Sequence, residues 1–109
     1  MSHAKGVRTE KKARQELERQ GYICEQKNWS RFAGKDFWNT FDIIGLRMGE
    51  VIAVQVKTNE SHKKAVLAHF NAIVGHIPAS WKCEVWIWRD RKGWKFHNLR
   101  YWNEKAKTL

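Results

Sequence analysis

The chain has 109 residues, 42% of them hydrophobic and seven of them Trp, and its 21 Lys and Arg against 11 Asp and Glu give a formal net charge of +10. This composition excludes intrinsic disorder and the length allows one core but not two, while the surplus of positive charge points to polyanions, with nucleic acid the leading class of partner. No apolar run approaches about 18 residues and MSHAKGVRTEKK lacks a signal segment, so a soluble, intracellular, cytoplasmic protein with no membrane partner is expected.

Residues 1–6 read as a mobile basic start, and a helix over residues 7–20 is stopped by Gly21. At about 100° per residue, Val7, Glu10, Arg14 and Leu17 share one stripe, with Ala13 beside them. Glu10 therefore faces the protein, where a carboxylate must be paired or must meet a cation. Bonding to Arg14 and presentation to a site are both compatible with the stripe. Residues 22–26 read as a strand. Residues 27–40, KNWSRFAGKDFWNT, form a long irregular segment, a kind of loop that usually serves function. It interleaves Lys27, Arg31 and Lys35 with Trp29, Phe32, Phe37 and Trp38, which suits phosphate contacts with base stacking, or a partner subunit. Phe37 and Trp38 equally suit a cover over the core.

Two apolar runs, residues 41–46 and 51–56, flank Arg47-Met48-Gly49-Glu50, a connection that closes antiparallel hairpins. A turn centred between Met48 and Gly49 pairs residues whose numbers sum to 97, which sets Asp42 opposite Gln55. Alternation puts Gln55 and Lys57 on one face and Ile52, Val54 and Val56 on the other. An acid, an amide and an amine then meet at one end of the hairpin, provided that no bulge interrupts the register.

Thr58, Asn59 and Ser61 offer N-capping side chains to a helix over residues 62–76, whose buried side is Val66, Leu67, Phe70, Ile73, Val74 and Ile77. Gly75 and Pro78 end it. Residues 83–89 and 94–99 read as a second hairpin, with apolar groups on both faces of its first strand. The tail over residues 101–109 is short, basic and weakly helical, and a partner chain is one place for part of it. Cys24 and Cys83 lack metal-ligand spacing and read as structural thiols; His62, His69 and His76 read as a solvated helix stripe.

If the basic surface binds DNA, the polar hairpin end suits metal-assisted phosphodiester hydrolysis. Asp42, the Gln55 amide oxygen and the Val56 carbonyl make an all-oxygen ligand set for Mg²⁺, with Mn²⁺ expected to substitute, and Lys57 orients the nucleophile or stabilises the transition state. Lys5, Arg8, Lys27, Arg31 and Lys35 are the expected DNA contacts.

The order of these residues resembles the PD-(D/E)xK nuclease superfamily, and within it the archaeal-type Holliday junction resolvases. The resemblance runs through GVRTEKKARQELERQGYICEQ, FDIIGL, VIAVQVKT and GWKF, most of the chain in order. It implies an α/β fold with a restriction-endonuclease-like core, a mixed central sheet of about five strands flanked by helices, in a single nuclease domain over residues 1–109. It also implies a homodimeric, Mg²⁺-dependent endonuclease that nicks four-way DNA junctions symmetrically, in recombination and repair. Glu10 is then the first-helix acid and a further metal ligand, Asp42 and Gln55 metal ligands, Lys57 the catalytic lysine, and Ser30 the loop serine. Where the family has Glu, this chain has Gln55; the lost charge weakens metal binding and Glu10 offsets it. Two other readings share these residues: a nuclease of the same fold with another DNA substrate, and an inactive DNA-binding module.

Overall fold

A computed structural model describes the backbone of residues 2–26, 37–38 and 40–107, with side chains described between residues 6 and 106 of these. Five strands, β1 (Ile23–Gln26), β2 (Ile43–Arg47), β3 (Glu50–Thr58), β4 (Lys82–Arg89) and β5 (Gly93–Asn98), form one sheet in chain order. Neighbours are antiparallel except β3 and β4, which run parallel. A parallel pair requires a crossover, supplied by helix α2 (Lys63–Ile73) and a 3-10 turn at Val74–His76. Helix α1 (Ser2–Arg19) precedes the sheet; the third helix, Leu99–Lys107, follows it and is α3. The expected mixed five-stranded sheet with flanking helices is the fold that forms. No described helix is long and apolar enough to cross a membrane.

β3 and β4 are apolar on both faces because both faces are covered. On one, Ala13 and Leu17 of α1 close over Ile43, Ile52, Val54, Val56 and Trp86. On the other, Val66 and Phe70 of α2 join Leu99 and Trp102 of α3 over Ala53, Val85 and Ile87. In the tail, Trp102 is buried in the chain's own core together with Leu99, while Tyr101 stays exposed, and Asn98 caps α3 by accepting the Tyr101 N–H at 2.9 Å.

Gly21 ends α1 as its sequence position suggests. With φ at 98° it lets the Gly21 N–H donate to Glu18 and the Tyr22 N–H to Leu17, the paired bonds of a Schellman cap, while Tyr22 and Leu17 share the α1-side core. At the β2–β3 turn, Met48 and Gly49 both have positive φ, 43° and 84°, the requirement of a type I′ hairpin turn. Three helix starts differ from expectation, and at the last of them Leu99, read as the end of a strand, opens α3. α1 begins at Ser2, not Val7, since Gly6 is a weak helix former and not a stop. α2 begins at Lys63 with His62 at its N-cap in a left-handed conformation and without a side-chain cap bond, so Thr58, Asn59 and Ser61 do not cap it; Thr58 ends β3 and Asn59 bonds to Asp90.

Candidate active site

The register sum of 97 holds for five pairs, from Ile43↔Val54 to Arg47↔Glu50, and ends there. One residue earlier the Asp42 N–H donates to the Val54 carbonyl at 2.8 Å, so Asp42 and Ile43 both address Val54, two residues against one, as in a β-bulge. The alternation breaks at the same point: Phe41 and Ile43 lie in cores on opposite faces of the sheet. Asp42 is consequently not the ladder partner of Gln55, a correction to the expected pairing. Its carboxylate instead continues the ladder, Oδ2 accepting the Val56 N–H at 2.7 Å. A residue in a strand directs its N–H and C=O toward one neighbour, so the Val56 carbonyl opens to the same edge as Asp42.

Gln55 and Lys57 follow Val54 and Val56 in strict alternation. Their register partners on β4, Val85 and Ile87, belong to the core under α2 and α3, so Gln55 and Lys57 lie on that face. Gln55 is 7% exposed, and its Oε1 has no hydrogen-bond partner among the described residues. Lys57 is partly exposed at the rim.

Glu10 is delivered by α1 from the other face. It is 6% exposed, and its Oε1 accepts a long bond from Gln26 Nε2 at 3.4 Å. Gln26 pairs with Ile43, the neighbour of Asp42. Arg14, the alternative partner on the stripe, donates to Glu18 at 3.0 Å and to the Cys24 carbonyl at 3.5 Å. The hydroxyls of Thr9 and Thr58, 2.8 Å apart, tie this turn of α1 to the end of β3. That link was missed in the sequence, because two threonines 49 positions apart carry no local signal. The structure thus joins Asp42 to Val56 directly, places Gln55 and Lys57 along the same strand, and sets Glu10 on the α1 side against Gln26 of β1.

Arg8 is exposed on α1, two residues from Glu10. Lys27, Ser30, Arg31 and Lys35, and the side chain of Lys5, lie outside the described residues. Phe37 is partly buried against the α2-side core, and Trp38 is 57% exposed. Cys24 and Cys83 are free, buried thiols, both pushed up in pKa chiefly by burial. Among the described residues no three His, Cys, Asp or Glu side chains cluster as metal ligands. An oxygen site at Asp42 would draw on an amide and a main-chain carbonyl as well as carboxylates.

No family model matches the chain, and no curated protein matches it in sequence. Its fold does match a solved structure, the Holliday junction resolvase of Archaeoglobus fulgidus, an archaeal hyperthermophile. The TM-score is 0.63 at 19% identity, over 88% of this chain and 74% of that one. The resemblance carried by the sequence is met at the level of architecture: this chain has the α/β nuclease fold of an archaeal Holliday junction resolvase.

Proposed function

We propose that this protein is a metal-dependent, structure-selective DNA endonuclease, a Holliday junction resolvase that nicks four-way junctions symmetrically as an intracellular homodimer. The reading rests on one arrangement: the Asp42 carboxylate is held at the Val56 N–H, and the preceding residue of β3, Gln55, has a buried Oε1 with no hydrogen-bond partner among the described residues, in a fold shared with a junction resolvase. The net charge of +10 supports a nucleic-acid substrate. A buried carbonyl oxygen without a donor costs about 1–3 kcal/mol unless something electropositive meets it. Asp42, Gln55 Oε1 and the Val56 carbonyl form a hard-oxygen set that fits Mg²⁺, with Mn²⁺ as a substitute and Glu10 adding negative charge from the α1 side.

A bound Mg²⁺ supplies Lewis acidity, acidifying water and offsetting the charge that builds on the phosphate. The chain's own groups do the rest. Asp42 holds position because its second role, as acceptor for the Val56 N–H, leaves the carboxylate one orientation at the strand end. The Lys57 ammonium, at the rim of the same strand, stabilises negative charge on the pentavalent phosphorus and orients the attacking water. Symmetrical nicks on opposed strands require two such sites about a twofold axis, hence a dimer.

Incubation with a labelled four-way junction and with linear duplex in Mg²⁺ tests this. Paired nicks near the branch point are expected, with loss of at least about 100-fold in rate for Asp42→Ala and for Lys57→Ala. Cleavage indifferent to both substitutions, or none at all, rejects the reading. The amide at Gln55 favours one alternative, an inactive DNA-binding module, which predicts junction binding that ignores both Mg²⁺ and Asp42→Ala.

A further inference from the structure

Two strands away from Lys57, on the same face of the sheet, lies a polar cavity of about 230 Å³ at the ends of β4 and β5. Register explains its position. Lys57, Ile87 and Lys95 form one row across β3, β4 and β5, and Gln55, Val85 and His97 form the row behind it. Ile87 and Trp102 line the cavity and belong to the α2-side core. Arg89 and Lys95 supply its charge, and Asn59, Ser61 and the His97 imidazole its other polar groups. Asn59 is fixed by two bonds with Asp90, at 3.1 and 3.0 Å.

The cations here are not accounted for by the fold. Among the described residues neither Arg89 nor Lys95 takes part in an ion pair, although Arg47, Arg14 and Arg19 elsewhere each do. The nearby acids are engaged: Asp90 accepts from Asn59, and Glu60 lies 3.8 Å from His62. Lys63 adds a third positive group, its Nζ 4.9 Å from the Trp102 ring centroid, and the Trp102 ring lies 4.3 Å from that of His97. His97 feels this crowding, its pKa lowered first by burial and then by Lys95 and Lys63. Like charges gathered around a partly enclosed, polar cavity repel one another, and an anion in their midst relieves that cost.

We propose that the cavity bounded by Arg89, Lys95 and His97 is a subsite for a backbone phosphate of the DNA strand that runs past Asp42 and Lys57. Two inter-strand spacings separate Lys57 from Lys95, about 10 Å. At a rise of about 3.4 Å per nucleotide along a strand, that places the held phosphate a few nucleotides from the reacting one. Arg89 and Lys95 donate to the phosphate oxygens, and Ser61 adds a neutral hydroxyl. The subsite fixes the strand's direction across the sheet and reads no base. It depends on the nuclease reading only in naming DNA as the source of the phosphate.

The experiment measures binding of a four-way junction in EDTA, without cleavage, as a function of salt. Arg89→Gln/Lys95→Gln should lower the slope of log affinity against log salt by about 1 to 2 and weaken binding about tenfold. An Arg91→Gln/Lys92→Gln control, which removes the same charge from the adjacent turn, keeps the folded surface otherwise alike. Single neutral methylphosphonates stepped along the strand then supply a double-mutant cycle. One position should weaken the wild type and the control several-fold, yet leave the Arg89/Lys95 variant unchanged. An absent coupled position overturns the subsite, as does wild-type protein that fails to bind DNA. Tight binding of inorganic phosphate without a coupled position overturns the DNA assignment. Cleavage assayed separately keeps the two readings apart: coupling without cleavage retains the subsite and removes the nuclease, and cleavage without coupling does the reverse.

Discussion

At Gln55 a buried amide oxygen, without a donor among the described residues, lies on the same strand as the Val56 N–H that Asp42 accepts, so one substitution tests the proposed ligand role. In Gln55→Glu the added charge strengthens a cation site but has no relief without metal. The variant is expected to need about tenfold less Mg²⁺ for half-maximal cleavage. Without metal it should be less stable than wild type at pH 7 by about 1–3 kcal/mol, recovered on adding Mg²⁺; cleavage titrations and thermal unfolding with and without metal check both. Asp42→Ala has a stability cost as well as a catalytic one, since it strips the Val56 N–H of its acceptor: about 1–3 kcal/mol in denaturant unfolding. His97 makes a pH-dependent contribution. Its folded pKa lies below the ordinary value of 6.5, so the unfolded chain takes the proton first. The stability from neutral His97 is present above that value and is lost as pH falls through the folded pKa. His97→Gln should accordingly narrow the difference in denaturant midpoint between about pH 7.5 and about pH 5, which lie about one unit or more either side of the ordinary histidine value.

At the scale of elements, the β2–β3 hairpin shows how far local pattern reaches. The turn at Met48-Gly49 and the sum of 97 were legible because a two-residue loop dictates the register of everything that follows it. The bulge at Asp42 was not legible, because it depends on how Phe41 seats against Phe70 across the core, 6.4 Å between ring centroids, and not on its neighbours in the chain. Met48 is fully exposed and spends a left-handed conformation that Asn adopts more readily. Met48→Asn should stabilise the protein by about 0.5–1 kcal/mol, seen as a higher unfolding midpoint, without altering DNA cleavage. The start of α2 failed as a sequence reading for a related reason: the residues before it are drawn off by β3 and by Asp90, and His62 closes the helix end through its backbone.

At the scale of the whole molecule, α1 and the pair α2 and α3 take opposite faces, and the candidate site sits between them at the C-terminal end of the central strand β3. Glu10 lies on the α1 side, bonded to Gln26, and Gln55 and Lys57 lie on the side of α2 and α3. A single chain holds one such site, so symmetrical cutting implies a twofold assembly. Sedimentation at micromolar concentration should give twice the mass of one chain, and a junction should bind two chains together. A monomer at that concentration that still makes paired nicks would remove the dimer from the proposal.

The strands, the helices, their apolar faces, both hairpin turns and the identity of the candidate residues Glu10, Asp42, Gln55 and Lys57 were determined by the sequence alone, because each depends on periodicity, turn chemistry or residue type within a short window. Only the tertiary structure decided that Asp42 continues the ladder to Val56 instead of facing Gln55, that Arg14 turns to Glu18 and Glu10 to Gln26, and that Trp102 of the tail is core. It alone gathered Arg89, Lys95 and His97 around one cavity. These are contacts between residues far apart in the chain, whose energies depend on the closing of two faces over one sheet and leave no local trace.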